Sequence, residues 1–166
     1  MDRIQRESIE KRRQETSLKT MYFNRFLLIR YITAGFFFVN LYWLFSLVMS
    51  KSICAVIPGI TLVVIIRAVY EQCVMYSEPI DNAKKTIFLY KIILTINILL
   101  TAILCTPFFS NLYPFLTDTS KSHKFIIAII MIGIILCGIC LKRLQAVKNR
   151  TDKQFKYIQQ FEKSIY

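Results

Sequence analysis

Residues 26–49 read FLLIRYITAGFFFVNLYWLFSLVM, an unbroken apolar run whose single charge, Arg30, lies near one end. A hydrocarbon core about 30 Å thick is crossed by roughly 20 apolar helical residues. This run is long enough, and it is continuously apolar instead of alternating every second residue, so it predicts a helix and not a barrel strand. Three more runs share its character, at about residues 52–69, 87–109 and 125–141. Together they occupy about half of the 166-residue chain, whose 55% apolar content and mean hydropathy of +0.45 exceed the usual range of a soluble domain. The expected fold is therefore all-α, an integral membrane four-helix bundle. Little chain remains for an extramembrane core. No small-residue cleavage site follows the first run, so it is expected to stay as an anchor.

The net charge of +12 is distributed by side. Residues 1–25 carry Arg3, Arg6, Lys11, Arg12, Arg13, Lys19 and Arg25, with Arg30 just beyond. The connection between the second and third runs carries Arg67, Lys84, Lys85 and Lys91. The tail, residues 142–166, carries Lys142, Arg143, Lys148, Arg150, Lys153, Lys156 and Lys163. Of the 22 basic residues, just Lys51, Lys121 and Lys124 fall on the other side. Lys and Arg near span ends are retained in the cytoplasm, so both termini are expected there, in a cell membrane that the composition suggests is bacterial. This bias explains the charge without nucleic acid, for which no recognition motif is present. The expected partners are the bilayer, with anionic lipid at the inner face, and other membrane proteins or further copies of this chain.

Along the chain, residues 1–20 read as a short solvated helix with paired charges and no wide apolar stripe. Ser50, Lys51 and Ser52 make a tight turn between the first two spans. Pro58 and Gly59 should kink the second span or place an irregularity in it. That helix should reach Ser77 and stop before Pro79, leaving residues 78–86 as a turn. Residues 110–124 form the main external segment. In the tail, Phe155, Ile158, Phe161 and Ile165 recur at helical spacing, favouring a helix that continues from the fourth span and packs on the lipid surface, with docking on a partner as the alternative.

Three sets of residues invite a chemical reading. Arg67 and Glu71, four apart, are charges at a span end; at 1.5 Å per residue from Ser52 they lie roughly 22 and 28 Å in. They are expected to form an ion pair at the inner boundary. Asn40 and Asn97, with Thr33, Thr61, Thr95 and Thr101, are polar groups within spans, expected to hydrogen-bond neighbouring helices. A polar solute path is the alternative, but none of the spans holds the mid-membrane glutamate on which small multidrug exporters rely. Cys137 and Cys140 form a C-x-x-C, which resembles the thiol pair of four-span thiol–quinone enzymes such as vitamin K epoxide reductase and would imply dithiol chemistry. The second pair that those enzymes need in a long external loop has no counterpart here. Gly133, Cys137 and Gly138, like Ala55 and Gly59, more simply offer small residues for close helix approach. Cys54 and Cys105 both lie toward outer span ends, where a disulfide is conceivable. The single histidine, His123, leaves no multi-histidine metal site, and no phosphate-binding, zinc-protease or serine-hydrolase motif occurs. Neither cofactor nor metal is expected. The sequence thus points to a non-catalytic accessory, regulatory or assembly subunit, then to a small oligomeric transporter or channel, and third to a thiol–quinone oxidoreductase.

Overall fold

The computed structural model describes residues 3–77, 83–104, 106 and 109–165. Among them every regular element is helical: α1 (Arg3–Met49), a 3₁₀ turn (Ile53–Ala55), α2 (Val56–Ser77), α3 (Lys84–Ile103), the short α4 (Phe109–Leu112), α5 (Ser120–Lys148) and α6 (Lys153–Ile165). Four of these helices are long and apolar enough to cross a membrane: α1, α2 with its 3₁₀ turn, α3, and α5. Their outward faces carry large apolar side chains, including Tyr42, Phe45, Ile60, Ile66 and Ile132, which water would not favour over lipid. Expected positions 78–82, 105, 107 and 108, and with them Pro79, Cys105 and Pro107, lie outside the described residues.

The first departure from the sequence reading is at the N-terminus. No break separates a solvated helix from the first span; α1 is continuous over 47 residues, about 70 Å at 1.5 Å per residue. Its polar half holds no Gly or Pro and is rich in Glu, Lys, Arg and Gln, all good helix formers. Thr16 and Thr20 satisfy their hydroxyls on the carbonyls of Arg12 and Thr16, at 2.8 and 2.9 Å.

Pro58 does not interrupt α2, which is continuous over Val56–Ser77. It falls in the first turn, where its missing N–H would have no intrahelical partner anyway. The irregularity sits upstream, as the 3₁₀ turn that Ser52 caps by accepting the Cys54 N–H at 3.3 Å. The turn before it closes with Lys51 at φ 52°, the Ser52 N–H reaching back to the Leu47 carbonyl at 3.0 Å. The end of α5 repeats this device. Arg150 has φ 55°, and the Thr151 N–H reaches the Ala146 carbonyl at 3.0 Å. Both are helix-ending motifs that place a non-glycine residue in the left-handed region.

That second turn redirects the tail. The structure does not continue α5 along a lipid surface; it folds α6 back onto α1, with Ile158 fully buried. Asp152 makes this possible. Its carboxylate accepts the Phe155 N–H at 3.2 Å, capping α6, and the same carboxylate engages Arg25 of α1. The apolar stripe is therefore spent on the chain itself.

Packing elsewhere joins α1 to α2, α2 to α3, and α3 to α5, while α1 and α5 touch less. Two apolar clusters result. One, toward the basic end, gathers Ile29, Ile65, Leu89, Tyr90, Cys137 and Leu144. The other, at the opposite end, gathers Leu100, Phe109, Leu112, Tyr113, Ile126 and Ile130.

Candidate functional site

Two polar junctions and one cavity hold the chemistry-bearing side chains. The first junction lies where α1, α5 and α6 meet. Arg25, its side chain wholly buried, donates from Nε and Nη2 to the two Asp152 carboxylate oxygens at 3.0 and 2.8 Å, and from Nη2 to the Val147 carbonyl at 3.3 Å. Its guanidinium also faces the Phe155 ring at 5.0 Å. A two-pronged, charge-assisted pair of this kind fixes orientation as well as distance.

The second junction ties α1, α2, α3 and α5 together within the basic half. The Thr33 hydroxyl donates to its own helix at the Ile29 carbonyl (2.7 Å) and accepts from Gln72 Nε2 (3.2 Å). The Tyr90 hydroxyl lies 2.9 Å from Thr33 Oγ1 and 3.1 Å from the Ile29 carbonyl. Arg30 donates to the Gln72 carbonyl at 2.8 Å while lying over the Phe23 ring at 4.2 Å. Cys137 and Cys140 are both fully buried behind Tyr90, and their thiols, like those of Cys54 and Cys73, are free. Both belong to the apolar cluster that includes Tyr90.

Arg67 and Glu71 do not pair. Arg67 is exposed, whereas the Glu71 carboxylate accepts the backbone N–H groups of Lys85 and Thr86, at 3.0 and 2.7 Å, and the Thr86 hydroxyl at 2.9 Å. Glu71 thus satisfies donors in the first turn of α3 that no intrahelical acceptor can reach, and its charge favours that N-terminus. Backbone donors outcompeted an exposed guanidinium because their geometry is fixed.

Of the intramembrane amides and hydroxyls, most are satisfied locally. Asn40 Nδ2 donates to the Phe36 carbonyl (2.8 Å), and Thr61, Thr95 and Thr101 donate to the carbonyls four residues back at 2.8–2.9 Å. Thr33 also bonds across to neighbouring helices, through Tyr90 and Gln72. Asn97 is different. Its amino group is buried without a hydrogen-bond partner. It lies over Gly133 of α5, where an added Cβ would stand 3.1 Å from Nδ2. Gly133 is therefore a genuine point of close approach, while Gly59 and Gly138 have open space where a Cβ would go.

Beside Asn97 the helices part. A cavity of about 970 Å³ lies between α1, α3 and α5, with Asn40, Thr61 and Asn97 among mostly apolar walls. Its deep lining includes the buried Ile93, Leu100 and Ile130. Its mouth includes Phe38, Val39, Ile129 and Ile132, all exposed on the outward face. Trp43, Tyr113 and Phe115 form an aromatic lid along one end of its lining. There Trp43 stacks on Tyr113 (centroids 5.8 Å apart) and donates to the Leu112 carbonyl at 3.3 Å. Burial pushes the Tyr113 hydroxyl up to about 12, as removing water penalises the phenolate. Behind this lid His123 stacks on Phe109 (3.9 Å) and meets Asp118 at 2.7 Å.

Sequence reasoning missed Tyr90, Gln72 and the Arg25–Asp152 pair. Arg25 was weighed only as a topological charge. Asp152 did carry a signal, a capping residue immediately ahead of the Phe155–Ile158 stripe. Comparison with family models, with curated proteins and with solved structures returns no match.

Proposed function

We propose that this chain is a multi-pass protein of the cell membrane, a four-helix bundle with both termini cytoplasmic, that serves without a catalytic site as an accessory, regulatory or assembly subunit of a larger membrane complex. The observation that carries this reading is the braced rod at the basic end. α1 is about 70 Å long against a hydrocarbon core of about 30 Å. It therefore extends well past the bilayer, and α6 runs back along that extension, fastened by Arg25 and Asp152. Such a projection offers a rigid basic surface for a partner.

The groups available for chemistry support the same reading by their employment. Glu71 caps α3, and Cys137, Cys140 and Tyr90 are closed inside the helix junction. A second reading, a small oligomeric transporter, is favoured by the cavity beside Asn97. A thiol–quinone enzyme has the least support, since both thiols are shut away from the surface.

The test is co-purification of the full chain from native membranes after photocrosslinking from Gln14 and Lys156 on the rod. A stoichiometric larger membrane protein, lost when Arg25→Ala frees α6, is the expected result. Solute flux by the purified chain alone in proteoliposomes, abolished by Asn97→Ala, would instead make it a transporter.

A further inference from the structure

The cavity between α1, α3 and α5 has an unmet chemical requirement. Its volume of about 970 Å³ lies at the upper end of the range for pockets that take small ligands, and those pockets share its character of apolar walls with a few polar groups. Asn40 and Thr61 have already donated to their own helices. The Asn97 amino group has not, and an unsatisfied buried donor is costly. The carboxamide torsion of asparagine is broad and nearly two-fold, so one rotation of this lining residue brings the amino group from Gly133 round to the cavity.

The shape selects the occupant. Lining residues run from Ile93 to Leu100 on α3 and from Phe125 to Gly133 on α5, about 10–12 Å along each helix axis. Trp43, Tyr113 and Phe115 line the far end. A partner's transmembrane helix must cross a hydrocarbon core of about 30 Å, and a cavity this short does not match it. A phospholipid tail fits the length, but it is hydrocarbon at this depth and leaves the amide unmet. We propose that the cavity binds a lipid-soluble small molecule with an apolar body and a carbonyl-type hydrogen-bond acceptor, entering sideways between Val39 and Ile129 and accepting from Asn97. This proposal does not depend on the accessory role argued above.

Trp43, the chain's single tryptophan, lines the site and reports on it. The full chain in proteoliposomes is titrated with a decyl-tailed benzoquinone as the carbonyl probe and, separately, with phosphatidylcholine brominated on its acyl chains. Quenching by the quinone should saturate above the linear background of bulk partitioning. Asn97→Leu, which removes a costly donor without disturbing the apolar packing, should weaken that saturable binding about tenfold, and Asn97→Gln should restore part of it. The brominated lipid should quench without saturation and equally in all three proteins. Linear quinone quenching, or saturation unaffected by Asn97→Leu, would overturn the proposal. Saturable quenching by the brominated lipid would assign the cavity to an ordinary lipid tail. Crosslinking of Val39→Cys to a second copy, with no quenching by either probe, would assign it to a neighbouring protein; both results refute it.

Discussion

The two ends of the helical assembly contain comparable apolar clusters, yet one end is closed and the other open. At the basic end Arg25, Arg30, Gln72, Tyr90 and Asp152 each reach a group on another helix, and α1 is tied to α2, α3, α5 and α6. At the opposite end Asn40 and Thr61 turn back on their own helices, Asn97 finds nothing, and α1 and α5 separate around about 970 Å³. In lipid the apolar surfaces gain little from one another, so hydrogen bonds and close packing settle which helices stay together. Polar side chains with an acceptor on a neighbouring helix make structure; those without one leave room for a ligand.

The largest effect should come from unfastening the closed end. Arg25→Ala leaves Asp152 without its partner and should cost about 3 kcal/mol. Amide exchange should then show α6 exposed while α2 and α3 stay protected. Equal loss of protection throughout would mean that the ends are not separable. Tyr90→Phe removes the hydroxyl shared by Thr33 and Ile29, and a loss of about 1–2 kcal/mol is expected in reversible denaturant unfolding in micelles. The open end should respond with the opposite sign. Asn97→Leu deletes an unmet donor and should raise stability by about 1 kcal/mol; a comparable loss would show that Asn97 holds α3 to α5 after all. Smaller still, Lys51→Gly and Arg150→Gly relieve left-handed backbone at one turn of each end. The relief of about 1–2 kcal/mol is partly offset by the freer unfolded glycine, leaving about 0.5 kcal/mol of gain at both.

A pH scan sharpens the comparison on the open side. The Tyr113 hydroxyl ordinarily titrates near 10.0, and burial pushes it to about 12. Because the folded value is the raised one, the lid is fully stable below pH 10 and loosens as pH rises through 12. Trp43 fluorescence, quenched by the stacked phenolate, should therefore fall above pH 10 with a midpoint near 12, and Tyr113→Phe should remove that step.

Much of the helical content was legible because a run such as residues 26–49 admits few alternatives. Length and continuous apolarity located four helices able to span a membrane. The turn at Lys51 was legible, and α1 ends at Met49 just before it, whereas the helix end at Arg150 was hidden because the usual glycine is absent there. The tail's destination was hidden as well. Its amphipathic stripe suits lipid and protein equally, and the deciding pair, Arg25 with Asp152, joins residues 127 positions apart. For the site, Asn40 and Asn97 were equally visible in the sequence. What separates them is whether a carbonyl stands in reach, which spacing alone does not encode.

The account rests most directly on both ends of the chain sharing one side of the membrane with α6 held against α1. Sided labelling with an impermeant maleimide measures this, using one added cysteine at Lys11, Lys51, Lys121 or Lys156 in a background with Cys54, Cys73 and Cys105 replaced by serine and the buried Cys137 and Cys140 kept as the unreactive control. Lys11→Cys and Lys156→Cys should react in inside-out vesicles alone, and Lys51→Cys and Lys121→Cys in right-side-out vesicles alone. Reaction of positions 11 and 156 from opposite faces would contradict the arrangement of α1 and α6, and with it the function proposed here.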